Sequence, residues 1–353
     1  MIVISFFVFP LLLVQQGVYS FRSPISLPHK YASLSPALPK SLMTSTKNVQ
    51  SVTPSSSSSS YCSFSQLDAS ASSVLPSCMA GGQLSVALSA GFLSAGSQYL
   101  LTRQLKRSKR PEFHTNAAYT AHSIVAFALM LVVSTVGVLG WAFTPPFSYF
   151  DASSRILDPS SAGRWLAAVI VGTFSMWDIP TSFMVKELRK PDVIIHHIVM
   201  LITAAIGSTV LPMHYLLYYF GVSELSSIPL VVYDQVQQWL KWNVFSKSTT
   251  EKLKEKVEPI LGVLTAICFT LVRAISFPKV TLFSFVPDCI TVLAAPSSDG
   301  VGFAVTGQIR SMLKFSVGAS LAFTALQLYW FSGLVKTILS GDSKESGDEK
   351  AAV

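Results

Sequence analysis

Charged residues are scarce in this chain of 353 amino acids: Asp, Glu, Lys and Arg make up 12% of it, whereas hydrophobic residues make up 50%. A soluble globular domain carries about 25% charged residues, so the composition excludes an ordinary cytosolic enzyme and a disordered chain. Long stretches without charge indicate instead a protein that crosses a membrane several times. The net charge of +8 therefore bears on membrane orientation, and we expect no nucleic-acid partner.

Metal and disulfide motifs are also missing from the sequence. The four cysteines, at positions 62, 78, 268 and 289, show no CxxC spacing, so we predict neither a disulfide framework nor a zinc site. A metal site built from histidines needs three or more ligands within reach, and the six histidines offer no recognised spacing of that kind. We therefore predict no metal and no resident cofactor.

No acidic residue precedes Asp68 in the chain. We predict that this N-terminal part is a targeting sequence and does not belong to the folded domain. Residues 1–20 contain the apolar run Ile2–Val14 and are typical of a signal peptide. Residues 21–80 are basic and rich in serine, which is typical of a transit peptide. Together they resemble the bipartite presequence of algae with secondary plastids. The alternative is a plain secretory signal followed by a disordered serine-rich linker.

Seven apolar segments are predicted to cross the membrane, so the predicted fold is an all-α, multi-pass transmembrane helical bundle. One weak N-terminal span, rich in Ser and Gly, lies with a basic loop in residues 81–114, and six core spans lie in residues 115–338. A polar tail, residues 339–353, follows them. The predicted spans are Gly81–Leu101, His122–Phe143, Trp165–Val185, Val193–Met213, Tyr215–Tyr233, Pro259–Phe277 and Leu313–Leu339.

One further apolar segment, Val280–Ala295, is broken by Pro287 and Asp288. We predict that it is a re-entrant or interfacial piece, because a proline and a carboxylate disfavour a full crossing. A full span is the alternative, and it would move the polar tail to the other side of the membrane.

Basic residues are concentrated in alternate loops of the predicted bundle. Thirteen Lys and Arg residues fall in the loops near residues 103–110, 186–190 and 241–256, and five fall on the other side. Because cytosolic loops carry an excess of Lys and Arg, the richer loops are predicted to face the cytosol or stroma. The N-terminus then faces the lumen, and the polar tail faces the cytosol.

Five ionisable side chains lie within the predicted spans, namely Asp178, His196, His197, Glu224 and Arg273. A charged group at bilayer depth costs at least ~2.5–3.5 kcal/mol on insertion scales, so such groups mark functional sites by default.

Asp178 and the histidine pair are predicted to meet at one depth. At ~1.5 Å per residue, Asp178 lies about 20 Å from the lumenal side of its span. The next span returns from the cytosol after a short connection, which brings His196 and His197 to the same level. A carboxylate that accepts an imidazole N–H orients the ring and raises its basicity, as a general base requires.

Each of these residues also has a structural interpretation. Adjacent histidines point about 100° apart on a helix, so one or both could be hydrogen-bonding residues of the bundle. Asp178 could pair with a Trp or Tyr donor instead of a histidine. Glu224 and Arg273 could pair with each other, which would remove most of their insertion penalty.

Several segments, taken in order, resemble the TLC domain family, which includes the TRAM translocation proteins and the ceramide synthases. The resemblance covers residues 115–338 and implies a bundle of about six core spans around a lipid-facing cavity. The matching segments are Met176-Trp177-Asp178, Pro191-Asp192-Val193-Ile194-Ile195-His196-His197, Glu224-Leu225-Ser226-Ser227-Ile228-Pro229, Arg273, and Gln327-Leu328-Tyr329-Trp330-Phe331.

The match departs from the ceramide synthase signature, which couples the His pair to two closely spaced aspartates in the next helix. Here that helix offers Glu224 and, past its predicted end, Asp234. The sequence is therefore more similar to the TLCD-like branch, whose members are linked to membrane lipid composition. This departure puts the acyltransferase reaction in doubt while it leaves a histidine-lined lipid site intact.

Three functions follow as hypotheses. The first is a membrane protein that binds or handles acyl lipids and influences membrane lipid composition, in the endoplasmic reticulum or another endomembrane, or in the plastid envelope. The second is an N-acyltransferase with acyl-CoA as co-substrate, and the third is an accessory protein for cargo or translocation. The residues assigned to catalysis are His196, His197 and Asp178, and those assigned to lipid contact are Glu224, Arg273, Trp177 and Trp330.

Overall fold

Helices make up the regular structure of the part of the chain described by the computed structural model, which comprises residues 82–108, 114, 116–143, 151–157, 160–211, 213–294 and 307–340. The predicted signal peptide, the serine-rich segment and residues 341–353 of the polar tail lie outside these residues. The helices are α1 (Gln83–Lys106), α2 (Ala117–Phe143), α3 (Ala152–Leu157), α4 (Ser161–Thr173), α5 (Ile179–Met184), α6 (Pro191–Thr209), α7 (Leu216–Tyr219), α8 (Ser227–Lys241), α9 (Lys247–Lys252), α10 (Glu258–Phe269), α11 (Phe277–Val280), α12 (Val286–Ala294) and α13 (Gly307–Ser340).

Within the described residues, these helices form seven stretches that are long and apolar enough to cross a membrane. They confirm the predicted all-α multi-pass bundle with six core spans and one further span before them. The short helices belong to longer stretches: α4 continues into α5, α7 into α8, and α9 through α12 form one helix of 48 residues. The 3₁₀ segment Val222–Ser226 lies between α7 and α8.

Four π-helical segments interrupt the α-helices, and each of them ends two residues before a proline. They are Phe174–Asp178 before Pro180, Leu253–Val257 before Pro259, Thr270–Ser276 before Pro278, and Thr281–Phe285 before Pro287. A proline in a regular α-helix lacks the N–H and collides with the carbonyl four residues earlier. We attribute the wider π turns to relief of that collision, which lets each helix continue past its proline.

This relief corrects the prediction for Val280–Ala295. Pro287 and Asp288 do not break the helix there, because α12 continues the helix that begins at Lys247. The segment is therefore neither a re-entrant hairpin nor a separate span, whereas its interpretation as an interfacial piece stays a prediction. A helix of 48 residues is about 70 Å long, more than twice the ~30 Å hydrocarbon core, so its ends extend beyond the core.

The end of this long helix is held by a partly buried ion pair. Arg155 of α3 donates to Asp288 of α12 through Nε, at 2.5 Å, and through Nη2, at 2.6 Å. The hydroxyl of Tyr215 donates to the same carboxylate at 2.5 Å. Asp288, which the sequence presented as a helix breaker, thus joins three parts of the bundle.

The weak N-terminal span is closely packed against α4. Gly91 of α1 and Gly172 of α4 allow the two backbones to meet, since a Cβ atom on Gly172 would lie 1.8 Å from the carbonyl oxygen of Ala87. Small residues at a helix interface permit such close approach in membranes. The Ser and Gly residues make this span less hydrophobic, but their small side chains allow it to pack closely against α4.

A second close approach between two backbones fixes the position of the segment that carries Glu224. A Cβ on Gly137 of α2 would lie 2.3 Å from the Cα of Gly221, which directly precedes the 3₁₀ segment Val222–Ser226. The backbone of that segment is consequently held against α2, and the Glu224 side chain is buried at 6% exposure.

Candidate functional site

The two adjacent histidines of α6 face different neighbours. His197 contacts Asp178, whereas His196 lines a pocket between α6 and α13. This is the outcome that helix geometry favours, because neighbouring residues point about 100° apart. The structure therefore places His196 and His197 in two different environments, which the sequence could not distinguish.

Asp178 is at the centre of a buried cluster with two histidines, here named the Asp178 cluster (His122, Asp178 and His197). His122 of α2 lies with its Nε2 3.0 Å from Asp178 Oδ1, and His197 Nδ1 contacts Asp178 Oδ2. Asp178 is 5% exposed, so a carboxylate at this depth requires such partners. The π turn Phe174–Asp178 places the carboxylate at the end of the turn, next to Pro180.

The N-terminal helix α1 reaches this cluster through a tryptophan. The indole N–H of Trp177 donates to Oε1 of Gln98 on α1. The Trp177 ring stacks on His122 with centroids 4.9 Å apart and an angle of 25° between the planes. Gln98 is thus linked through Trp177 to the histidine that binds Asp178.

We predict that the substitution Gln98→Leu lowers the free energy of unfolding by about 1–3 kcal/mol. The buried indole N–H of Trp177 would lose its acceptor, and an unsatisfied buried donor costs about that much. Equilibrium unfolding of the purified protein in detergent measures the change. Gln104→Leu is the matched control, because Gln104 is exposed on the same helix. Equal effects of the two substitutions would contradict the proposed link.

Glu224 and Arg273 form the second polar group, here named the Arg273 cluster (Glu224, Ser226, Ser227, Arg273 and Gln327). Arg273 Nη2 donates to Glu224 Oε2 at 3.3 Å and to Ser227 Oγ at 2.7 Å. Its Nε donates to Ser226 Oγ at 2.8 Å, and its Nη1 donates to Gln327 Oε1 at 3.3 Å. The predicted pairing of Glu224 with Arg273 is confirmed, and both side chains are buried.

A pocket lies between α6, the α7 region, the long helix and α13, and the empty space in it and at its open mouth amounts to about 580 Å³. The wall is mostly aromatic and aliphatic. Its residues are His196, Met200, Thr203, Met213, Leu216, Tyr219, Phe220, Ser223, Glu224, Arg273, Phe277, Phe285, Ser316, Ser320, Phe323 and Gln327.

Whereas Thr203, Ser316 and Ser320 lie elsewhere on the wall, the ionisable residues of the pocket are concentrated at one end. Gln327, Glu224 and Arg273 meet there, and His196 lies close by in contact with Phe323, at 5.0 Å between ring centroids. From Gln327 to Ser316 the wall formed by α13 extends about 16 Å at ~1.5 Å per residue. The pocket is therefore elongated along the helices, with charged groups near one end.

The predicted site residues divide between the pocket and the Asp178 cluster. His196, Glu224 and Arg273 line the pocket, whereas His197 and Asp178 belong to the Asp178 cluster and Trp177 stacks on its His122. Trp330 packs against His196 with ring centroids 5.3 Å apart, outside the residues of the wall. The assignment of Trp177 and Trp330 to direct lipid contact therefore lacks support from the pocket.

Trp330 instead connects two helices. Its indole N–H donates to Asp192 Oδ2 at 3.1 Å, which ties α13 to the first turn of α6, one turn before His196. Its ring and this bond hold the pocket histidine in place.

Sequence reasoning missed His122 and Gln98. His122 stood at the edge of a predicted span and carried a usable signal, since a histidine in an apolar segment needs a partner. Gln98 carried the same signal more weakly, as an uncharged amide in a span. Ser226, Ser227 and Gln327 lay within the segments that carried the family resemblance, but their contacts with Arg273 had no sequence signal.

The fold and the pocket define a polytopic α-helical protein whose membrane-spanning part encloses a polar-ended cavity. The family model described as the TLC domain matches residues 112–336, and the chain belongs to this family. The match begins after α1, so the helix that bears Gln98 lies outside the matched residues. Neither a curated protein nor a solved structure matches the chain significantly.

Proposed function

We propose that this TLC-domain protein binds the acyl chain of a membrane lipid in its pocket and thereby influences membrane lipid composition. The observation that carries the proposal is an elongated pocket with much aromatic and aliphatic surface whose ionisable residues lie toward one end. A lipid has the same division, with an apolar chain and a polar head. The compartment that we propose is the endoplasmic reticulum or another endomembrane, and the plastid envelope is the alternative.

The arrangement of the histidines favours binding over catalysis. A histidine general base is strengthened by a carboxylate that orients it. Asp178 contacts His197 and His122, which do not line the pocket, whereas the pocket histidine His196 has no carboxylate against it. The hypothesis of a base oriented by Asp178 would therefore need His197 to reach the pocket.

A second candidate is an N-acyltransferase of the ceramide synthase type, with acyl-CoA as co-substrate. One observation favours it: His196 is buried beside the pocket, and its Nδ1 has no hydrogen-bond partner among the described residues. A ring in that state could accept a proton from an amine bound in the pocket. His196 would then act without the assistance of Asp178.

Lipid analysis of membranes that carry the wild type, His196→Ala or His197→Ala separates these functions. We expect His196→Ala to remove most of the lipid that copurifies with the wild type, by about tenfold, because it alters the pocket wall. His197→Ala is expected to lower stability, because it removes a partner of Asp178, but to retain the bound lipid in the folded fraction. Mass spectrometry of the purified proteins measures the amount of lipid that each variant retains.

The alternatives give other outcomes. Formation of an amide that depends on acyl-CoA and is lost in His196→Ala would favour the acyltransferase. If all three proteins carry the same lipids in the same amounts and still capture a protein partner, the lipid site is wrong and the accessory role is favoured.

A further inference from the structure

The charged end of the pocket has no net charge. Among the described residues of the wall, the cation is Arg273 and the anion is Glu224, and they are paired at 3.3 Å. A guanidinium has five N–H donors, and Arg273 makes four hydrogen bonds to Ser226, Ser227, Glu224 and Gln327. Arg273 consequently has little capacity left for a phosphate or a carboxylate.

His196 lies beside this neutral pair without a hydrogen bond to any described residue. The residue is 8% exposed and its Nδ1 is fully buried. Buried polar groups are nearly always hydrogen-bonded, so an unpartnered imidazole on a pocket wall indicates a ligand or a water molecule. A neutral imidazole offers one donor and one acceptor, and a hydroxyl or an amide offers the same pair.

The rest of the wall fits a hydrocarbon chain. Met200, Phe277, Phe285 and Phe323 contribute apolar surface, and Ser320 donates its hydroxyl to Val317 O within α13. Ser316 Oγ also has no partner among the described residues. It lies about 16 Å from Gln327 along α13, too far to bind the same head group as His196.

We propose that the pocket selects lipids whose head is an uncharged hydroxyl or amide, which forms a hydrogen bond with His196. Lipids with a phosphate or quaternary ammonium head are excluded, because desolvation of the charge is not compensated by Arg273 and Glu224, whose charges already neutralise each other. This inference rests on the proposed function, since it names the class of lipid bound at the same site.

The test uses a series of amphiphiles with one saturated chain and different heads: a primary alcohol, a primary amide, a phosphate and a trimethylammonium. Binding to the full chain in detergent is measured by native mass spectrometry. We expect the alcohol and the amide to bind about tenfold more tightly than the two charged amphiphiles. Tighter binding of the phosphate, or equal binding of all four, overturns the inference while lipid binding stands. If none of them binds, the proposed function fails as well.

Substitutions at His196 make the test specific to this side chain. His196→Gln keeps a donor and an acceptor and is expected to retain the preference for the neutral heads. His196→Phe keeps a ring but has neither group, and it is expected to reduce the preference from about tenfold to about twofold or less. Thr324→Val is the control on α13, because Thr324 is buried, bonds to Ser320 O and does not line the pocket. If His196→Phe keeps the full preference, another group recognises the lipid head group and the proposal is wrong.

Discussion

Glu224→Gln is expected to lower the free energy of unfolding by about 3–5 kcal/mol. The substitution removes the charge that compensates Arg273, and both side chains are buried within the bundle. Breaking a buried ion pair on one side costs that much, because the remaining charge is left uncompensated. Gln preserves the size of the side chain and keeps one acceptor oxygen for Arg273 and Ser227, so the loss measures the removed charge more than a change in packing. Equilibrium unfolding in detergent micelles provides the measurement.

The double substitution Glu224→Gln with Arg273→Gln tests that explanation. Both charges are then absent, and replacement of a whole buried pair is often close to neutral. We expect the double variant to recover more than half of the stability lost in Glu224→Gln. A double variant that is as unstable as the sum of the two single variants would show that the pair contributes through geometry and not through charge compensation.

Gly172→Ala is expected to lower the free energy of unfolding by about 3 kcal/mol, at the upper end of the range for overpacking. The added methyl would lie 1.8 Å from Ala87 O, and the next two atoms that it meets are also backbone atoms of Ala87. A backbone cannot move aside as a flexible side chain can, so α1 must shift away from α4. The thermal transition of the purified protein is the measurement.

Gly96→Ala is the matched control for this change, because a Cβ at Gly96 of α1 would meet nothing within 4 Å. Alanine is the better helix former by about 0.5–1 kcal/mol, so this variant is expected to be as stable as the wild type or more stable. If Gly172→Ala proves equally harmless, the contact between α1 and α4 does not contribute to stability. The proposed role of Gln98, which links α1 through Trp177 to the Asp178 cluster, would then be wrong as well.

The helices could be predicted from the sequence because apolar stretches of about 20 residues have few alternatives in a bilayer. The prolines were harder to interpret. Pro287 was interpreted as a break, yet a π turn accommodates it, as another does at Pro180. Local sequence indicates that a proline disturbs the helix, whereas the surrounding packing decides whether the helix bends, widens or ends.

The pairing of polar groups could be predicted in part. Asp178 was expected beside the histidine pair from the depth of both, and His197 confirms this. Pairing of Glu224 with Arg273 was one of two interpretations of these residues, because each one alone would be costly in a membrane, and the structure shows that they pair. The sequence indicated that His122 needs a partner, but it could not identify Asp178 as that partner, since the contact depends on α2 lying next to the π turn that bears Asp178.

The sequence by itself determined that the chain is a helical membrane protein, the approximate limits of its spans, and the need for its buried ionisable groups to find partners. These follow from local composition and from the cost of charge in hydrocarbon. Only the tertiary structure decided that His196, and not His197, lines the pocket, and that α1 supports the Asp178 cluster. Which face a helix turns toward its neighbours depends on contacts between segments far apart in the chain, such as Gly91 with Gly172 and Gly137 with Gly221.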